Sequence, residues 1–127
     1  MNLFIVSGAP NTGKSTTVYH LCTYLLNLGY VKTDIPYNGK RYSTSTSFPP
    51  ILANDFSCLL EKEGKKVLIH TATDDVFNID ALVNSINNHK PSIVITTCRD
   101  FGDWPRDYFC SQLKLVNSFI LALSLIH

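Results

Sequence analysis

The chain has 127 residues, 45% hydrophobic and 17% charged, with a net charge of +1. That length suits one domain, residues 1–127, with a modest core and little left for a second domain or a large lid. Charge gives no indication of nucleic-acid binding, because there is no basic run or acidic tail.

Cys22, Cys58, Cys98 and Cys110 show no metal-like CxxC spacing, which points to reduced, largely buried thiols in a cytoplasmic protein. Residues 1–6 lack a basic flank, and polar residues interrupt the run from Ser7, so it does not read as a signal peptide. Phe119 to Ile126 is too short an apolar stretch to span a bilayer, and no membrane association is expected.

Leu3 to Val6 is a short apolar run ending at Ser7-Gly8, the pattern of a buried strand. Beyond the Gly8 loop, Val18, Leu21, Cys22, Leu25 and Leu28 recur at helical spacing, and Gly29 supplies a left-handed stop. Residues 31–50 are rich in Ser, Thr, Tyr, Gly and Pro without a period, and read as a loop. Ile51–Leu60 and Lys66–Ala72 read as an antiparallel hairpin joined by the charged connector Glu61 to Lys65. A second helix is expected from an Asn78 N-cap, with Leu82, Val83 and Ile86 on its apolar face and Pro91 beyond its end. Ser92–Cys98 is another buried-type strand, Asp103 and Pro105 mark a third helix start, and Ser118–Ile126 is assigned as a final strand. Strands alternating with helices predict an α/β fold: a mostly parallel sheet covered on both faces, with one antiparallel hairpin strand.

Gly8-Ala9-Pro10-Asn11-Thr12-Gly13-Lys14-Ser15 satisfies GxxxxGK[ST] at every fixed position, between an expected strand and an expected helix. Gly8 and Gly13 allow the backbone to wrap closely, so that loop N–H groups converge on phosphate oxygens at the positive end of the helix. The segment resembles the Walker A loop of the P-loop NTPases. The resemblance implies a three-layer P-loop fold, a nucleoside triphosphate as ligand and Mg²⁺ as cofactor. It also implies that Lys14 neutralises the β- and γ-phosphates, that Ser15 holds the metal, and that Thr16 bonds the α-phosphate.

Such proteins add a carboxylate beyond the end of another strand. Asp74 and Asp75 are the candidates, Asp74 to orient metal or water, with capping of the next turn as the alternative. His70 stands where the family places Asp, as a satisfied strand-end side chain or a catalytic base. The order of loop, helix, polar segment and hairpin resembles small GTPases. Here, however, His70-Thr71-Ala72-Thr73 replaces Asp-Thr-Ala-Gly, and Thr97-Cys98-Arg99-Asp100 replaces Asn-Lys-x-Asp. Small nucleotide kinases are a second resemblance. In that light Arg99, after a strand end, is a catalytic candidate, and Lys40 and Arg41 are possible phosphate contacts.

The leading expectation is Mg²⁺-dependent binding of ATP with slow hydrolysis or phosphoryl transfer. ATP is preferred because the guanine motif is broken. The alternatives are a nucleotide-gated binding module in which residues 31–50 order around the triphosphate, a divergent small GTPase-like protein, and a relic that holds only free phosphate. A protein partner is left open.

Overall fold

The computed structural model describes residues 1–8, 14–35, 55–73, 75–99, 104–114 and 119–124. In chain order the elements are β1 (Asn2–Gly8), α1 (Lys14–Asn27), β2 (Val31–Asp34), β3 (Ser57–Lys62), β4 (Lys65–His70), α2 (Val76–His89), β5 (Ile93–Arg99), α3 (Arg106–Lys114) and β6 (Phe119–Ser124). The six strands form one sheet in the order β2-β3-β4-β5-β1-β6.

β4, β5, β1 and β6 are joined by parallel ladders, whereas β3 is antiparallel to both β2 and β4. The expected mostly parallel, three-layer P-loop sheet with one hairpin strand is therefore corrected to a mixed sheet with two consecutive antiparallel ladders. The difference comes from β2. Residues 31–34 lie in the stretch read as a loop, yet Val31 to Asp34 pair with Glu61 to Cys58 at the sheet edge. A four-residue edge strand buries too little to carry a hydrophobic pattern, and a Lys32–Asp34 ion pair at 3.1 Å lies along it. Residues 36–50 of that stretch lie outside the described residues.

Alternation along the strands splits the core between two faces. Leu3, Leu59, Leu68 and Val94 pack with Ile79, Leu82 and Ile86 of α2 and with Phe109 and Leu113 of α3. Val6, Cys58, Leu60, Val67, Ile69 and Ile95 pack with Val18 and Cys22 of α1. Only part of the apolar period of α1 is buried: Leu21 and Leu28 are exposed, as is Tyr24. The Cys22 and Cys58 sulfurs, both buried, are 4.0 Å apart and link α1 to β3.

The turns follow from local chemistry. Gly29, at φ 99°, ends α1, with the Gly29 and Tyr30 N–H groups donating to Leu26 O and Leu25 O. The β3–β4 connection is a two-residue turn, tighter than the five-residue connector expected, since Lys62 already pairs with Lys65. Both turn residues have positive φ, Glu63 at 52° and Gly64 at 79°, which matches the right-handed twist of the flanking strands. The α2 cap also differs from expectation: Asp75, not Asn78, is the N-cap, and its carboxylate accepts from Asn78 N–H at 2.8 Å. At the start of α3, Phe109 N–H donates to Pro105 O at 3.0 Å, while Asp103 lies outside the described residues.

Candidate functional site

β1, β5 and β4 run parallel, so their carboxyl ends open onto one edge of the sheet, the side where α/β proteins hold ligands. Gly8, the last residue of β1, is level with Arg99, the last residue of β5. Lys14 and Ser15 open the fourteen-residue α1, and Thr16 is exposed in its first turn. Ala9, Pro10, Asn11, Thr12 and Gly13 lie between these two elements, outside the described residues. The first-turn N–H groups of α1, which no carbonyl within a helix can satisfy, start at the strand end that the glycine motif leaves.

The other candidates are distributed along the same edge. Asp74 and Asp100 lie outside the described residues, as do Lys40 and Arg41. Asp75 is described, and both of its carboxylate oxygens are engaged in the cap: Oδ1 by Asn78 N–H and Oδ2 by Asn78 Nδ2 at 3.0 Å.

His70 is fully buried and internally satisfied. Its Nε2 lies 2.7 Å from Ala72 O and 3.1 Å from Asn78 O. Both partners are acceptors, so Nε2 carries the proton, and Nδ1 at 3.0 Å accepts from the Ser57 hydroxyl. Burial lowers its pKa to about 4, against the two carbonyl hydrogen bonds that favour the charged form. A neutral imidazole committed on both nitrogens, with no exposed surface, is a structural joint between β4 and α2 and has no free lone pair to act as a base.

A network of hydroxyls beside it was not apparent as a unit in the sequence. Thr96 Oγ1 donates to His70 O at 2.6 Å, and Thr97 Oγ1 to Thr71 O at 2.8 Å. With the Thr97 proton used in that bond, Thr73 is the donor in the 3.1 Å Thr73–Thr97 contact. Thr71 Oγ1 accepts from Phe56 N–H at 2.9 Å and donates to Asp55 at 3.1 Å. These bonds fix the β4 and β5 ends where their ladder runs out after His70 and Thr96. The available signal was Thr71, Thr73, Thr96 and Thr97 interrupting two apolar strands at equivalent ends. Arg106 was also missed; its Nη1 lies 3.7 Å from Cys98 Sγ, which seats the first turn of α3 against the end of β5.

Mg²⁺ takes oxygen donors and commonly draws only one or two from protein, the rest from water and phosphate. Ser15, at the second position of α1, suits that requirement. Among the described residues no group of three or more His, Cys, Asp or Glu side chains is placed to hold a metal on its own. An ion sharing its ligands with a triphosphate fits the edge better than a self-contained metal centre.

No family model matches the chain, and no curated protein matches it. Among solved structures, it is similar to an XisH family protein from Nostoc punctiforme at 13% identity, covering 85% of this chain and 91% of that one. The TM-score is 0.32, too low for the likeness to carry any argument. Among the described residues no helix is long and apolar enough to cross a membrane.

Proposed function

We propose that the chain binds a nucleoside triphosphate, with ATP preferred, together with Mg²⁺ at the Gly8–Ser15 loop, and turns it over slowly by hydrolysis or phosphoryl transfer. The observation that carries this reading is the agreement of motif with context. The glycine-lysine-serine sequence leaves a parallel strand at Gly8 and enters a helix at Lys14. Loop and helix N–H groups would cradle the phosphates, and Lys14 would neutralise charge building on the γ-phosphate. Ser15 would hold Mg²⁺, whose role when bound is to withdraw charge from the phosphate oxygens. Asp74 would orient metal or water, and Arg99, level with Gly8, would add a second cation at the same edge.

A nucleotide-gated module with little turnover is the second reading. It is favoured by the state of the strand-end groups: His70 is locked into the fold and the Asp75 carboxylate is consumed by its cap. Phosphate release measured with and without candidate acceptors separates the two readings.

The binding site itself is tested by calorimetry on Lys14→Ala. Loss of a charge-assisted hydrogen bond of about 1.5–3 kcal/mol predicts roughly 10- to 150-fold weaker ATP binding. ADP binding should change much less, because the lysine reaches the terminal phosphates. Equal losses for the two ligands would contradict the role given to Lys14.

A further inference from the structure

Phe77 and Trp104 are 75% and 66% exposed, the first on the opening turn of α2 and the second just ahead of α3. Isolated exposed apolar side chains are ordinary. These two are linked to each other and to the phosphate edge by a chain of contacts. The opening turn of α2 is fastened to the end of β4 by the His70 bond to Asn78 O. The opening of α3 is fastened to the end of β5 by Arg106 against Cys98, and Cys98 is level with Ser7 of β1. The two openings are joined by the Tyr108 hydroxyl, which donates to the Asp80 carboxylate one turn along from Phe77. The Trp104 ring leans on Tyr108, with centroids 6.5 Å apart and planes at 49°. Two exposed rings thus rim the sheet edge at which β1 delivers the glycine loop.

We infer that Phe77 and Trp104 form a stacking platform for the base of the nucleotide whose phosphates the Gly8–Ser15 loop holds; this rests on the function proposed above. Every nucleobase presents a π-face, and stacking on an aromatic side chain requires no donor–acceptor match. Both rings sit on rigid helix starts, so little side-chain freedom is lost when a base docks. The broken guanine-reading motif fits a platform that holds the ring by its face rather than its edge. No second aromatic pair with such links to this edge is found among the described residues. Leu21, Tyr24 and Leu28 lie on α1, which packs on the opposite face of the sheet.

Trp104 is the only tryptophan in the chain, so its fluorescence reports on the platform directly. Three probes are titrated with Mg²⁺ present: ATP, inorganic tripolyphosphate and adenosine, with calorimetry in parallel. Tripolyphosphate is expected to bind without altering the emission, whereas ATP binds more tightly and quenches it. Trp104→Ala and Phe77→Ala should each weaken ATP by about 5- to 100-fold and leave tripolyphosphate affinity unchanged. Trp104→Phe should recover most of the loss, which a purely structural role for the position would not produce. If ATP binds wild type but neither quenches Trp104 nor responds to the alanine variants, the platform is overturned and the phosphate site stands. If neither ATP nor tripolyphosphate binds, both fall. Emission that changes with protein concentration and not with ATP would assign the rings to a second copy and also overturn the platform.

Discussion

His70 shows how one buried side chain ties stability to pH. Its imidazole is held neutral by burial, with a pKa of about 4 against an ordinary value of 6.5. The unfolded chain therefore takes up a proton more readily than the folded one between those values. Its contribution is fully present above about pH 6.5 and is lost as the pH falls toward about 4, a change of about 3 kcal/mol. Denaturant titrations of wild type and His70→Asn at pH 7.5 and pH 4.5 check this. The variant is expected to be less stable at the higher pH and to lose less on acidification. Parallel losses in the two proteins would remove His70 as the titrating group. From the sequence alone His70 could be either a satisfied strand-end residue or a base. Only the positions of Ser57, Ala72 and Asn78 decide it, and those contacts are made by the fold.

At the scale of elements, the end of α2 shows what capping contributes. Asp75 accepts from Asn78 N–H, a donor that no carbonyl within the helix can satisfy. Asp75→Ala should lower the unfolding free energy by about 1 kcal/mol, and Asp75→Asn by a few tenths at most, since asparagine caps equally well. The same pair of variants bears on the metal. With both oxygens in the cap, Asp75→Asn is expected to leave the Mg²⁺ enhancement of ATP binding unchanged, while Asp74→Asn reduces it. Equal losses for both would mean that the cap opens when the metal arrives. In the β3–β4 turn, Glu63 occupies the left-handed region that glycine or asparagine adopts more readily. Glu63→Asn is expected to stabilise the chain by on the order of 1 kcal/mol, read as a higher urea midpoint with an unchanged slope.

For the whole molecule, the central elements were legible because each carried a strong local signal. Leu3 to Val6, Val67 to Ile69 and Ile93 to Ile95 are apolar runs that only a buried strand uses, and Gly29 marks a helix stop in any context. β2 was not legible. Its Val31 is exposed and its neighbours are polar, so what makes it a strand is the open edge of β3, sixty residues of chain geometry rather than its own composition, roughly speaking. That error in turn concealed the mixed character of the sheet. At the site, the glycine motif was legible because phosphate binding is encoded in backbone shape. The hydroxyl network was not, because Thr71, Thr73 and Thr97 meet only once β4 and β5 are paired. The sheet order makes a further prediction. Hydrogen exchange should find β5, paired on both sides, most protected, and β2, four residues at the rim, at least about tenfold faster.

The position of β1 has a consequence for how the chain is made. Both neighbours of β1 are encoded far downstream: Asn2 pairs with Ile93 on one side and with Phe119 on the other. The first strand to leave a ribosome must therefore wait for roughly ninety residues of synthesis before it meets a partner. Until then the glycine motif exists as sequence without the strand end and helix start that would shape it. Arrested nascent chains make this visible. A chain halted with β4 exposed but β5 still in the exit tunnel should fail to retain a triphosphate that the released protein holds. Ligand capture would then be among the last properties the molecule acquires, although its motif is among the first residues translated.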